Sequence, residues 1–249
     1  MGTNHDGGSS HKKGWRAYFF EFFMLFLAVF CGSLSEYWLE HRIERDREKD
    51  YMKSEIADLK TDTLAFNNFL TLSNDKFKGY KEVVVTINRF LENKATAQAL
   101  IEVNGKYCGS YISADINERT ITQLKSSGGL RMILKQDASD AINQYYSVAS
   151  NLIASQAEIM KNQQVKIMDL GTKIFDTSYN TDSVLYQNLK NKKIPFEQMM
   201  ISQDPKLLKE YANNVQIQIG ILDYHIAIIK SQKNAAIYTL NLLKKEYHL

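Results

Sequence analysis

Residues 17–39 read AYFFEFFMLFLAVFCGSLSEYWL, and the interpretation of the whole chain depends on this stretch. About 20 apolar residues in a helix cross the roughly 30 Å of hydrocarbon in a bilayer. Glu21 and Glu36 bracket the most apolar part of the stretch. Tyr37 and Trp38 carry amphipathic rings of the kind that favours the headgroup boundary. We therefore predict one transmembrane helix over 17–39.

Two other kinds of segment would look similar, namely a cleaved signal peptide and the core helix of a soluble protein. No A-x-A cleavage site follows the stretch. Its closely spaced phenylalanines also suit lipid better than a soluble core. Both observations favour a membrane span.

The predicted span has two different faces when its residues are placed at 100° intervals. One face is rich in phenylalanine, and the other consists of Glu21, Leu25, Ala28, Gly32, Ser35 and Glu36. Small residues at Ala28 and Gly32 let a second helix approach closely, and a carboxylate is costly in a bilayer unless it meets a partner or the interface. We predict that copies of the chain or other membrane subunits meet on this face. The alternative is that both glutamates only reach the two membrane surfaces.

The charges that flank the span do not decide its orientation. Lys12, Lys13 and Arg16 precede it, and further basic residues follow it among many acids. A short basic tail, an apolar run and a long domain together are typical of an uncleaved signal anchor, which would place the C-terminal domain outside the cytoplasm. Residues 1–16, rich in Gly, Ser and His, are predicted to be a disordered tail.

The composition favours long helices and argues against several functions. The 249 residues include only two prolines, and proline breaks helices. The net charge of +3 comes from interspersed basic and acidic residues, so no strongly basic face is available to bind nucleic acid. The two cysteines and five histidines form no metal-binding motif, and we predict neither a metal nor a cofactor.

After a charged helical connector over 40–51, apolar residues recur at spacings of three and four, which is the period of packed helices. Three long helices are predicted. Their bounds are 52–93, 137–176 and 205–247. Asp137 is predicted to be the N-cap of the second helix, and Asp204 with Pro205 begins the third. The first helix either passes unbroken through Ser73 or bends there.

The segments between these helices complete a predicted helical domain over 52–249. Residues 94–136 are predicted to form short helices and turns, with Gly128 and Gly129 in a turn between two of them. Residues 177–204 are predicted to be a loop. The long helices then pack as an antiparallel bundle or a coiled-coil rod, so the predicted fold class is all-α with one transmembrane helix.

A few residues interrupt the apolar seams of the long helices. Gln156, Gln163 and Lys233 either fix register or partner choice, line a wet groove, or lie at a partly exposed seam edge. Gly171 and Gly220 each cost about 1 kcal/mol in a helix interior, so each marks a close helix contact or a bend.

Several segments resemble a family of uncharacterised bacterial single-pass membrane proteins with a helical soluble domain. Besides Glu21, they are LAVFCGSLSEYW from residue 27, EKDYMKSEIADLKTDT from residue 48, LKSSGGLRMI from residue 124 and QYY from residue 144. The resemblance implies a domain tethered to the inner membrane of Gram-negative bacteria. It brings no known activity, cofactor or catalytic residue.

Three functions remain open. The preferred one is a membrane-anchored, non-enzymatic scaffold or accessory subunit that binds the bilayer and associates with itself or with other membrane subunits. The second is a helical sensor or ligand-binding ectodomain. The third is an enzyme, which we do not expect because no nucleophile is paired with a base. Its candidate polar groups would be Asp115, Glu118, Arg119, Tyr145 and Tyr146.

Overall fold

The computed structural model of the chain describes residues 14–177 and 196–249. In these two ranges the regular structure is helical, and one isolated antiparallel bridge joins Phe175 to Met200. The predicted all-α fold class is therefore confirmed.

The chain divides into two compact units, Met1–Asp50 and Tyr51–Leu249. The described part of the first unit belongs to helix α1, which extends over Trp15–Leu91 and so continues into the second unit. Trp15 and Arg16 are thus helical, although the tail was predicted to include them. The rest of that predicted tail, up to residue 13, lies outside the described residues.

The N-terminal part of α1 has the properties required of a membrane span. Its large apolar side chains are exposed, with Phe22 at 67 % and Trp38 at 74 %. Among the described helices, α1 is the one long and apolar enough to cross a membrane, as judged by length and composition. One apolar N-terminal helix could therefore span a bilayer.

Helix α1 passes through Ser73 without a break and ends at Leu91. Its end is set by Asn93, which adopts a left-handed conformation with φ of 57°. The Lys94 amide then donates to the Arg89 carbonyl at 2.7 Å, which satisfies a carbonyl at the helix end.

Short helices follow, as predicted for this region. Helix α2 covers Ala97–Tyr107 and is capped by Thr96, whose hydroxyl accepts from the Ala99 amide at 3.2 Å. Helix α3 covers Arg119–Ser126 and is followed by a 3-10 turn over Gly129–Met132.

Gly128 lies between α3 and the 3-10 turn with φ of 69°, a conformation that favours glycine. The Gly-Gly pair therefore forms the predicted turn.

Two long helices complete the second unit and pack against each other along much of their length. Helix α4 covers Gln136–Ile174, and helix α5 covers Pro205–Tyr247. Asp204 caps α5 and accepts from the Lys206 amide at 3.2 Å, as predicted.

The predicted N-cap of α4 is wrong. Lys135 occupies the cap position, and its side chain makes no capping bond. Asp137 lies in the first turn of α4, where a negative charge still complements the helix dipole.

The segment between α4 and α5 is described only at its two ends. A 3-10 turn covers Phe196–Met199, and the Ile201 amide donates to the Ile174 carbonyl at 2.8 Å. Most of the loop predicted over 177–204, namely 178–195, lies outside the described residues.

The core of the second unit is formed mainly by seam residues with the predicted spacing. On α5 the buried members are Leu208, Tyr211, Val215, Ile219, Leu222, Ile226, Ile229, Ala236, Leu243 and Tyr247. Lys233 is half-buried at the edge of this seam, whereas Gln163 on α4 is buried.

The two interior glycines differ. A Cβ on Gly171 would lie 3.6 Å from the Tyr211 ring, which is an ordinary van der Waals contact between α4 and α5. A Cβ on Gly220 would meet nothing within 4 Å. Alanine would therefore fit at Gly220 without a clash, and Gly220 does not mark a close helix contact.

Candidate functional site

Three carboxylates lie on one face of α1 within the core. Glu55, Asp58 and Asp62 are spaced at i, i+3 and i+7, which places them on the same side of a helix. Their exposed fractions are 0 %, 1 % and 1 %. Burying acids is costly unless they are paired or protonated, so each of them needs an explanation.

Asp58 is fully hydrogen-bonded by the segment that leads into α3. Its carboxylate accepts from Asn117 Nδ2 at 2.9 Å and from Arg119 Nη2 at 2.8 Å. It also accepts from the amide of Thr120 at 3.0 Å and from the Thr120 hydroxyl. The Thr120 amide belongs to the first turn of α3, so Asp58 caps α3 from a different helix.

Asp62 connects the same segment to α4. It accepts from the Asn117 amide at 2.7 Å and from the Tyr145 hydroxyl at 2.7 Å. The neighbouring Tyr146 hydroxyl donates to the Asn117 carbonyl at 3.2 Å. The segment around Asn117 is therefore held between α1 and α4.

Glu55 has no hydrogen-bond partner for either carboxylate oxygen. The Tyr146 hydroxyl lies near enough to interact with Glu55, but its hydrogen bond goes to Asn117. Burial raises the pKa of Glu55 to about 7; Tyr146 opposes this rise, and the charges of Asp58 and Asp62 add to it.

Burial likewise raises the pKa of Asp62 to about 6, although its bonds to Tyr145 and Asn117 oppose the rise. Burial and the neighbouring acids also raise the pKa values of Tyr145 and Tyr146. We name this group the acid–tyrosine cluster. Its members are Glu55, Asp58, Asp62, Tyr145 and Tyr146.

The cluster can hold and release protons, but it is poorly suited to act on a substrate. Its carboxylates are sealed from solvent, and catalysis requires that a reacting atom approach the acid or base. The arrangement is instead suited to fix the position of the segment before α3 and to make the stability of the second unit depend on pH.

The structure brings together three of the five polar residues considered for catalysis. Tyr145 and Tyr146 belong to the cluster, and Arg119 forms an ion pair with Asp58. Asp115 and Glu118 are exposed.

Sequence reasoning missed Glu55, Asp58 and Asp62 as site residues. The available signal was three acids at i, i+3 and i+7 beside the apolar seam, within the segment quoted for the family resemblance.

A cavity of about 510 Å³ is a second feature of the same unit. This volume is typical of a small-molecule site. Its walls include Ile101, Asn104, Cys108, Met168, Phe175 and Tyr211. The Tyr211 hydroxyl donates to Asn104 Oδ1, and burial raises the pKa of Cys108 to about 11. The thiol is therefore protonated near neutral pH and is a weak nucleophile.

No three His, Cys, Asp or Glu side chains are arranged to hold a metal ion within 14–177 and 196–249.

The predicted membrane-helix face lies entirely on α1, and all six of its residues are exposed. They are Glu21, Leu25, Ala28, Gly32, Ser35 and Glu36. The Ser35 hydroxyl donates to the Cys31 carbonyl at 2.8 Å, so its polar group is satisfied within the helix. A Cβ on Gly32 would meet nothing within 4 Å, which leaves the space beside it open.

Comparison of the chain with protein-family models, with curated proteins and with solved structures gives no match.

Proposed function

We propose that the chain is a single-pass membrane protein whose helical C-terminal domain serves as a non-enzymatic scaffold or accessory subunit. One observation carries this proposal. The apolar part of α1 leaves its large side chains exposed, and no described residue buries them. An apolar helix of this length is stable in a bilayer or against other apolar helices.

The role of scaffold is also supported by what the polar groups can do. The carboxylates of the acid–tyrosine cluster are sealed, and the Cys108 thiol, with its pKa raised to about 11, is protonated. Neither group is prepared for catalysis. Both fit a domain whose task is to hold a shape for partners.

We further propose that the soluble domain is an antiparallel bundle. Three glutamine hydrogen bonds support it: Gln232 to the Tyr145 carbonyl at 3.0 Å, Gln218 to the Met160 carbonyl at 3.5 Å, and Gln163 to the Asn214 carbonyl at 3.0 Å. Residue numbers rise along α4 while those of its partners on α5 fall. This is the pattern of helices that run in opposite directions.

Membership of the single-pass bacterial family is part of the same proposal. Two of the segments quoted for that resemblance, those from residues 48 and 144, supply every member of the acid–tyrosine cluster. Shared segments that meet in one core site are consistent with a common fold. We place the anchor in the bacterial inner membrane with the C-terminal domain in the periplasm.

The side of the membrane can be tested with one exposed cysteine, because Cys108 is buried. A chain with Glu158→Cys, in a Cys31→Ser background, is exposed in intact cells to a maleimide that does not cross membranes. Labelling is expected without permeabilisation, because Glu158 is an exposed position of the C-terminal domain. Labelling only after permeabilisation would place that domain in the cytoplasm.

The membrane-helix face is the proposed meeting point with a second copy or another membrane subunit. Cysteines at Ala28 or Gly32, again with Cys31→Ser, should cross-link copies in the membrane. A cysteine at Phe30 is the matched control, because Phe30 lies on the opposite face. Equal yields at all three positions would refute the face, and the two glutamates would then only reach the membrane surfaces.

A ligand-binding ectodomain is the second candidate function, and the cavity of about 510 Å³ favours it. Gly171 lines this cavity, so Gly171→Leu would partly fill it. Native mass spectrometry of the chain purified from its own host provides the test. A bound small molecule that is lost in Gly171→Leu would support this candidate over the scaffold.

A further inference from the structure

Helices α4 and α5 carry an apolar face that is left open within the described part of the chain. On α4 the exposed apolar residues follow one another at i, i+4 and i+11. On α5 two exposed apolar residues, Ile217 and Tyr224, are seven residues apart, and half-buried Ile221 and buried Ile228 lie deeper on the same side. The members of this α4–α5 face are Val148, Leu152, Ile159, Ile217, Ile221, Tyr224 and Ile228. Ile217 is 52 % exposed and Tyr224 is 56 % exposed. Isolated exposed apolar residues are common, but two aligned rows form a patch.

The two rows border the same line of helix contact. Gln163 on α4 donates to the Asn214 carbonyl on α5 at 3.0 Å, which marks that line. Ile159 is four residues from Gln163, Ile217 is three residues from Asn214, and residues at such spacings share a helix side. The same relation holds at the other end of the face, for Val148 with Tyr145 and for Ile228 with Gln232. The rows therefore flank one groove.

We propose that the α4–α5 face binds the same face of a second copy of the chain, with α4 of each copy packed on α5 of the other. This inference rests on the proposed scaffold function and assigns a contact surface in the soluble domain to it. The contact is isologous, so each residue pair occurs twice.

Charge complementarity supports a second copy as the occupant. Lys166 is three residues beyond Gln163, and Glu210 is four residues before Asn214, so both lie at the same end of the face on opposite helices. Both side chains are exposed. When α4 packs on the other copy's α5, Lys166 meets Glu210 of the partner subunit, and the reciprocal pair forms as well.

The size of the face is consistent with a weak dimer. From Val148 to Lys166 the helix rises about 27 Å at 1.5 Å per residue. Two adjacent helices, each about 10 Å in diameter, form a strip about 20 Å wide and so offer roughly 500 Å² per copy. The total of about 1,000 Å² is at the lower limit for a specific interface. Anchoring both copies in one membrane raises their effective concentration and compensates for a small contact.

Site-specific cross-linking tests the pairing of α4 with α5. One copy carries Ile159→Cys, a copy of different size carries Ile217→Cys, and both carry Cys31→Ser. The full-length copies are co-expressed, solubilised in mild detergent and oxidised. We expect the mixed disulfide to exceed both homodimeric products. The control replaces Ile217→Cys by Leu72→Cys, which is similarly exposed but lies on α1.

Exchanging charges distinguishes a contact between copies from a contact within one chain. Lys166→Glu in both copies, or Glu210→Lys in both, should lower the mixed disulfide about tenfold by placing like charges together. Combining a Lys166→Glu copy with a Glu210→Lys copy should restore it, because each reciprocal pair is again attractive. A pair within one chain would not be restored by mixing.

Each outcome separates this inference from the proposed function. The α4–α5 contact is overturned if the mixed disulfide is no more abundant than in the Leu72→Cys control. It is also overturned if combining the Lys166→Glu copy with the Glu210→Lys copy does not restore the mixed disulfide. If copies still cross-link through Ala28 in that case, the scaffold proposal stands without it. If the wild-type chain is monomeric in membranes and cross-links at neither surface, both the inference and self-association through the span fail.

Discussion

Replacing Glu55 by glutamine should stabilise the second unit at alkaline pH and leave it unchanged near pH 4.5. Burial raises the pKa of Glu55 from 4.5 to about 7. Between these values the folded chain binds more protons than the unfolded chain, so the free energy of unfolding falls as pH rises. A rise from 4.5 to about 7 in the pKa corresponds to a loss of about 3 kcal/mol above pH 7.

Glutamine has nearly the shape of the protonated acid and cannot ionise, so Glu55→Gln removes this loss. Its advantage over the wild-type chain should grow from nearly zero at pH 4.5 to about 3 kcal/mol at pH 8. The assay is urea unfolding of the full chain in mild detergent at several pH values, followed by circular dichroism at 222 nm.

Glu158→Gln is the matched control, because Glu158 is an exposed acid on α4. It should change the free energy of unfolding by less than about 0.5 kcal/mol at every pH. An advantage of Glu55→Gln that is the same at pH 5 and pH 8, or absent at both, would refute the argument that Glu55 is buried without a partner.

Three further predictions concern the second unit, two of them with a matched substitution at an exposed position. Asp58→Ala should destabilise the chain by about 3 kcal/mol, because it leaves the buried donors of Thr120 unpaired. The control Asp115→Ala, at an exposed position, should cost under about 0.5 kcal/mol. Urea unfolding measures the free energy of unfolding of both variants. Gly79→Ala should lower the free energy of unfolding by about 1–3 kcal/mol, because its Cβ would overlap the Tyr107 ring. Gly220→Ala should raise it by about 0.5–1 kcal/mol, because its Cβ would meet nothing within 4 Å. The thermal midpoints of the two glycine variants should therefore shift in opposite directions. His225→Leu should stabilise most below pH 6, because burial lowers the pKa of His225 from 6.5 to about 4 and the folded chain loses stability as pH falls through that range. Unfolding of this variant at pH 4.5 and pH 7.5 checks the sign, and a larger gain at pH 7.5 would contradict it.

The helices were accessible from the sequence because their signal is local. On α5, spacings of three and four identified most of the buried seam, and Asp204 with Pro205 gave its start. The cap of α4 was predicted wrongly because Lys135 has no capping side chain and Asp137 two residues later looked like one.

The acid–tyrosine cluster was not predicted, because its bonds connect residues far apart in the chain. Asp58 pairs with Arg119, and Asp62 pairs with Tyr145. From the sequence, acids beside an apolar seam have the pattern of a solvated helix side, and only the fold shows which donors reach them. The apolar face on α4 and α5 was missed for a related reason, since the two rows become one surface only when the helices pack.

Extraction of membranes tests the central claim most directly. Membranes from cells that express the full chain are washed with alkaline carbonate and then treated with mild detergent. If the exposed apolar part of α1 lies among acyl chains as proposed, the chain should stay in the pellet through the wash and become soluble only in detergent. Release of the chain into the carbonate wash would contradict an anchor that spans the bilayer.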